Sequence, residues 1–236
     1  MLHHLQKSNN LFIKLIKPNF KEIVMHMGYV FTDAEGEFLV SLARKVLETV
    51  VRTGKKLEIP PEAKEKLKQN AGVFVTLETV TPSGKQLRGC IGRPYPDFPL
   101  VQATIDSAVD AALQDPRFSS VTPEELENIV VEVSILTPPT LIEVDSVKDY
   151  PNQVEVGKDG LIVEHSWRKG LLLPQVAVEW KWDSKKFLEQ TCWKASLTPD
   201  MWMDKGTKIY KFQAEIFHEL EPNGRIEREP MKRGLI

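Results

Sequence analysis

The chain has 236 residues, 31 lysines and arginines against 33 acidic residues, and a hydrophobic share of 42%. That length buries a substantial core unaided. A net charge of -2 and two cysteines argue against a dedicated nucleic-acid binder and against a secreted disulfide scaffold. No apolar run is long enough to span a bilayer, so the expectation is a cytoplasmic globular protein without a membrane segment.

Residues 1–26 mix Lys7, Lys14, Lys17 and Lys21 with short apolar pieces and contain neither a signal-type hydrophobic region nor a cleavage site. They read as an appended tail, with Met25 and Met27 as alternative translation starts to Met1. Thr32-Asp33-Ala34-Glu35 has the reciprocal capping pattern of a helix start. The apolar face behind it, Leu39, Leu42, Ala43, Val46, Leu47 and Val50, with Gly54 near the end, predicts a core helix. Pro60-Pro61 predicts a second, mostly charged helix to about Gln69.

The period then changes to β-branched and apolar residues over 73–80, and Pro82-Ser83-Gly84 turns the chain into 86–91 as a hairpin. A core helix follows over 100–113. Thr122-Pro123-Glu124-Glu125 caps a third helix, and Ile129–Leu136 reads as a buried strand halted by Pro138-Pro139. Short strands are predicted at 154–156, 161–165 and 170–173, a helix at 183–195, and one long strand at 209–217 returning to the first sheet. The resulting expectation is an α+β protein of two subdomains, each an antiparallel sheet flanked by helices. Residues 27–140 and 208–236 form the large one, with 141–207 inserted as the small one.

In an extended Leu87-Arg88-Gly89-Cys90-Ile91-Gly92, Arg88 and Cys90 share one face, roughly 6–7 Å apart, while Leu87 and Ile91 share the other. A guanidinium at that distance favours a thiolate, and Gly89 and Gly92 clear space for a ligand or a second backbone. A structural cysteine explains the same residues, because no neighbouring histidine supplies a base. Asp115-Pro116-Arg117-Phe118 reads as a turn with Asp115 capping amides and Phe118 packed, which leaves Arg117 for a ligand. Gln175, a polar residue just after Leu171-Leu172-Leu173-Pro174, offers an amide that can read a peptide. His165, Cys90 and Cys192 do not reproduce a metal-ligand spacing, and no phosphate-loop, dinucleotide or zinc-protease motif occurs, so neither metal nor cofactor is expected. Trp167, Trp180, Trp182, Trp193 and Trp202 crowd the small subdomain and read mostly as core, with one or two left at its rim as anchors for a protein.

Leu87-Arg88-Gly89-Cys90-Ile91-Gly92 is the hallmark of the AMMECR domain family, named for the human chromosomal region linked to the AMME syndrome. The chain resembles that family over most of residues 27–220. The resemblance extends to Asp115-Pro116-Arg117-Phe118, to Leu171-Leu172-Leu173-Pro174-Gln175-Val176-Ala177, and to Phe187-Leu188 with Cys192, Lys194 and Ala195. It implies a large subdomain holding both termini, a small one with three strands, and the hallmark segment at their interface beside a cleft. It implies no established reaction, but family members occur beside or fused to Memo-like and radical-SAM proteins, which points to a shared modification pathway.

Two functions stay open. One is an enzyme or protein-modification factor with Cys90 as nucleophile or redox thiol and Arg88 holding an anionic group. The other is a non-catalytic binding or adaptor module gripping a protein, peptide or sizeable substrate. Either places Leu87, Arg88, Gly89, Cys90, Ile91 and Gly92 at the site, with Arg117 and Gln175.

Overall fold

The computed structural model describes residues 30–230. The appended tail and the start positions Met1, Met25 and Met27 lie outside the described residues. Helix α1 (Asp33–Thr53) begins as its sequence dictates: Thr32 accepts the Glu35 amide, the Glu35 carboxylate accepts the Thr32 amide at 2.8 Å, and Gly54 closes the helix at φ 69°. Its buried face holds Leu39, Val40, Ala43, Val46 and Leu47. Arg44 is buried among them. Its guanidinium pairs with Glu219 and donates to the carbonyls of Leu126 and Ile129, while Glu219 also accepts the Val131 amide at 2.9 Å. A buried pair of charges survives only with its remaining donors and acceptors satisfied in this way.

Strands β1 (Gly72–Thr81), β2 (Gly84–Arg93) and β3 (Ile129–Leu136) are followed by β4 (Thr140–Leu141), β5 (Gly160–His165), β6 (Arg168–Leu172), β7 (Lys208–Phe212), β8 (Ala214–Glu219) and β9 (Ile226–Arg228). They form two antiparallel sheets, ordered β2-β1-β3-β8-β9 and β4-β7-β5-β6, so the protein is α+β. One face of the first sheet buries Val73, Val75, Leu77, Val131 and Val133 against α1 and α2 (Leu100–Leu113). The second sheet packs its own core, with Leu161, Val163 and Ile209 against Phe187, Leu188 and Cys192 of α4 (Ser184–Lys194); the short α3 (Pro174–Glu179) precedes α4.

Several expected elements differ. The helix expected to run to Gln69 is a single 3-10 turn, Glu65–Lys68, because only Ala63 and Leu67 turn inward and give too little apolar surface to hold a longer charged helix. Thr122 does form a capping box, but on a 3-10 turn, Pro123–Asn128. Residues 154–156 pair with no strand, and Val154 is held by its buried side chain. The long strand expected at 209–217 is two: β7 pairs in the second sheet and β8 in the first, with Gln213 between them. Residues 208–212 therefore build the sheet of β5 and β6 and not that of β3, and that sheet has four strands where the resemblance implied three.

The sheets meet at Leu136, Ile162, Leu173 and Phe212, against which Phe74, Tyr95, Leu171, Val176, Tyr210 and Ala214 pack. Tyr95, just after β2, also donates to Glu164 of β5 at 2.6 Å, and Lys169 of β6 holds the same carboxylate at 2.7 Å. Burial and this carboxylate push the Tyr95 hydroxyl up to about 12, so it stays a donor.

Candidate functional site

The hallmark strand does not alternate regularly. Gly89 pairs with Leu77 but Leu87 pairs with Glu78, so Arg88 is an extra residue in a β-bulge. The register puts Leu87, paired with Glu78, on the face of Cys90, paired with Thr76. Arg88 turns to the Glu125 carboxylate at 2.5 and 3.0 Å and to the Ser119 carbonyl at 2.9 Å. The expected Arg88–Cys90 partnership is thus corrected: Arg88 is spent on an ion pair with its side chain 11% exposed, and it does not serve the thiol.

The Cys90 thiol is half-buried and accepts from the Thr76 hydroxyl at 3.3 Å. Burial pushes it above the ordinary thiol range, and Glu132 pushes the same way against the help of Thr76 and Arg117. Its backbone is held more firmly than its sulfur. Asp115 accepts the Cys90 amide at 2.8 Å, and Arg117, paired to Asp115 at 2.7 Å, donates to the Cys90 carbonyl at 3.3 Å. Arg117 therefore belongs to the scaffold of β2. The Arg117 guanidinium chiefly, with the Cys90 amide, holds Asp115 down at about 2. Phe118 lies under both Arg88 and Arg117, with the guanidinium carbons 5.8 and 5.4 Å from its ring centre.

The glycines have specific neighbours. A Cβ on Gly89 would meet the Ala111 carbonyl of α2 at 2.2 Å, and one on Gly92 would meet the Phe74 ring at 2.3 Å. Gly89 lets the helix seat on the strand, and Gly92 lets Phe74 reach the seam between the sheets. Ile91 pairs with Val75 on the helix-covered face.

Direct pairing aligns Cys90, Thr76, Glu132, His218 and Glu227 across all five strands on the face away from α1 and α2. Beside this row is a cavity of about 290 Å³, lined by Glu132, Ala214 and Ile216 of the sheet, Pro174, Gln175, Val178 and Glu179 of α3, Gly157 and Lys158 of a turn, and Glu229 and Pro230. Gln175 lines this cavity, and its amide donates to Glu132 at 3.4 Å. Glu132 is pushed up to about 7, first by burial and next by the Glu78 charge, against the Ser134 hydroxyl that donates to it at 3.1 Å.

Glu132, Thr76 and Asp115 did not stand out in the sequence as site residues. The available signal was Glu132 and Ser134 in Ile-Val-Val-Glu-Val-Ser-Ile-Leu: two polar residues one pleat apart give one face of an apolar strand a purpose other than packing. Other candidates are placed elsewhere. His165 bonds Thr207 at 3.1 Å, and Cys192 is fully buried in the second core. Among the tryptophans, Trp202 is buried, while Trp167, Trp180 and Trp193 are exposed, more than the one or two expected at the rim.

The AMMECR1 family model matches residues 40–217. Protein PF1979 of Pyrococcus furiosus is 54% identical over 204 residues, covering 86% of this chain and 97% of its own. Protein MJ0810 of Methanocaldococcus jannaschii is 49% identical over 197 residues, covering 84% and 96%. The crystal structure of the uncharacterized protein PH0010 of Pyrococcus horikoshii superposes with a TM-score of 0.82 at 53% identity, covering 85% of this chain and 98% of that one. The family match spans most of the described residues, and relatives of nearly the same length agree with it, so the chain belongs to the AMMECR1 family.

Proposed function

We propose that this AMMECR1-family chain is a binding module that holds a segment of a protein or peptide at the cavity lined by Glu132 and Gln175, with the hallmark strand as its scaffold. The observation that carries the reading is the division of labour along β2. Arg88 is committed to Glu125, the Cys90 backbone to Asp115 and Arg117, and both glycines to close packing, whereas Glu132 and Gln175 converge on an open cavity. A thiol raised above its ordinary range by burial, with no base among its described hydrogen-bond partners, is poorly prepared as a nucleophile. Convergent polar groups set beside apolar walls are the usual form of a ligand site, and here Pro174, Val178, Ala214 and Ile216 supply the walls.

A second reading, a protein-modification enzyme, is favoured by one feature: a carboxyl near 7 is matched to proton transfer at neutral pH. In that case Glu132 and not Cys90 is the reacting group.

Selection of a random peptide library on the intact chain tests the proposal. Peptides that bind the wild type are expected to lose affinity at least tenfold to Gln175→Trp, which fills the cavity, and to bind Cys90→Ser unchanged. Equal binding to Gln175→Trp, or loss of binding with Cys90→Ser, overturns it.

A further inference from the structure

The polar groups lining the cavity are unevenly satisfied. Both hydrogen bonds to Glu132, from Ser134 and Gln175, go to Oε1, and no described donor reaches Oε2. Gln175 Oε1 is buried and has no hydrogen-bond partner among the described residues. A buried acceptor without a donor costs roughly 1–3 kcal/mol, so Gln175 Oε1 calls for a donor from outside the chain, and Glu132 Oε2 beside it on the same cavity is left free to share that donor.

The charges around them decide which donor. Glu78 on β1, Glu179 on α3 and Glu229 beyond β9 act on Glu132 in the same sense, and Cys90 on β2 is a neutral thiol at neutral pH. His218 on β8 lies 3.5 Å from Glu229. Lys158, the cation of the lining, has its ammonium 3.0 Å from Glu155. Among the described residues no lysine or arginine pairs with Glu132. A neutral donor would satisfy the oxygens yet leave the negative potential; a cation answers both.

We infer that the cavity seats a primary ammonium group, the tip of a lysine side chain in the bound segment, between Glu132 and Gln175. This rests on the binding reading above and names its ligand chemistry. An ammonium offers three donors and no acceptor in a compact head, which suits separate oxygens converging from a strand and a helix. The four-carbon stem of lysine lies against Ile216, Ala214, Pro174 and Val178, the apolar part of the lining.

Occupancy then changes the protonation of the site. The unoccupied Glu132 carboxyl, near 7, is about half protonated at neutral pH, and a bound cation drives it to the carboxylate. Binding therefore releases about half a proton at pH 7 and weakens roughly tenfold from pH 8 to pH 6.

The test is an NMR and calorimetric titration of the whole chain with three probes: Nα-acetyl-lysine N-methylamide, its Nζ-acetylated form, and the corresponding arginine compound. The lysine probe is expected to bind with the proton release and pH dependence above, with shifts at Gln175 and Ile216. Nζ-acetylation should weaken it at least about tenfold, as loss of a charge-assisted hydrogen bond implies. Glu132→Gln keeps the shape and should abolish the proton release; Gln175→Leu should weaken the lysine probe while thermal unfolding shows both variants folded. Equal binding of the acetylated probe, tighter binding of arginine, or unchanged proton release in Glu132→Gln overturns the assignment. If peptide selection yields cavity-dependent ligands that lack lysine, the ammonium assignment fails and the binding reading stands. If neither probes nor peptides depend on the cavity, both fail.

Discussion

The carboxylate of Asp115 accepts the backbone amide of Cys90 at 2.8 Å, and its partner Arg117 returns a donor to the Cys90 carbonyl at 3.3 Å. An ion pair from a loop thus makes, at the outer edge of β2, the two bonds that another strand would make. Exposed edges invite pairing with other chains, and this one is closed where the hallmark sequence runs.

Removing that closure should cost stability. Asp115→Ala leaves a buried amide without an acceptor and frees Arg117, and we expect a loss of about 2–3 kcal/mol in urea unfolding. Because Asp115 is depressed to about 2 from 3.8, its contribution is complete above pH 4 and disappears as pH falls toward 2. The variant should be less sensitive to acid over that window than the wild type.

The Cys90 thiol should label slowly with iodoacetamide at neutral pH, with a rate that climbs only above about pH 9. Since Arg88 is bound to Glu125, Arg88→Ala should leave that profile unmoved while destabilising the fold by about 1–3 kcal/mol. A labelling inflection below pH 8 that disappears in Arg88→Ala would restore the nucleophile reading.

Glu132 should work against the fold at neutral pH. Its folded value of about 7 exceeds the ordinary 4.5, so the native state binds the extra proton and wild-type stability falls as pH rises through that interval. Glu132→Gln should remove this slope and raise stability above pH 7 by roughly 1–3 kcal/mol, measured as the midpoint of thermal unfolding across pH. A stabilising substitution at a central position is what a functional carboxylate predicts and a structural one does not.

The hallmark glycines should fail differently. Gly89→Ala drives a methyl into a helix carbonyl that cannot turn aside, and a loss of about 2–3 kcal/mol is expected. Gly92→Ala meets both the Phe74 ring at 2.3 Å and the Val73 carbonyl of β1 at 2.4 Å, so it disturbs the strand pairing as well as the seam between the sheets. It should cost a similar amount in global unfolding and, unlike Gly89→Ala, also increase amide exchange in β5 and β7, which hold the far side of that seam.

Local rules carried much of this fold because their causes are local. Thr32 and Glu35 cap a helix whatever lies beyond it, and Pro82-Ser83-Gly84 makes a hairpin from neighbours alone. The face of Arg88 depends instead on which residue of β1 sits opposite, and one bulge at Leu77 and Glu78 moved it away from Cys90. The apolar pattern of 209–217 runs unbroken, but the partners of β7 and β8 lie about 50 and 80 residues earlier, and those decide the break at Gln213. Gln175 was legible as polar after a proline; its partner Glu132 was not, because a single glutamate in a strand looks like a solvated one until the helix above it is placed.

That break has a mechanical consequence. At the two places where the chain passes between sheets, the Thr137 amide donates to the Gln213 carbonyl at 2.9 Å and the Gln213 amide to the Thr137 hydroxyl at 2.8 Å. The crossings are clamped side by side, so neither lengthens without the other. The position of α3 over the five-stranded sheet, and with it the gap between Gln175 and Glu132, therefore rests on this clamp together with the apolar seam that Leu173 and Val176 share with both sheets.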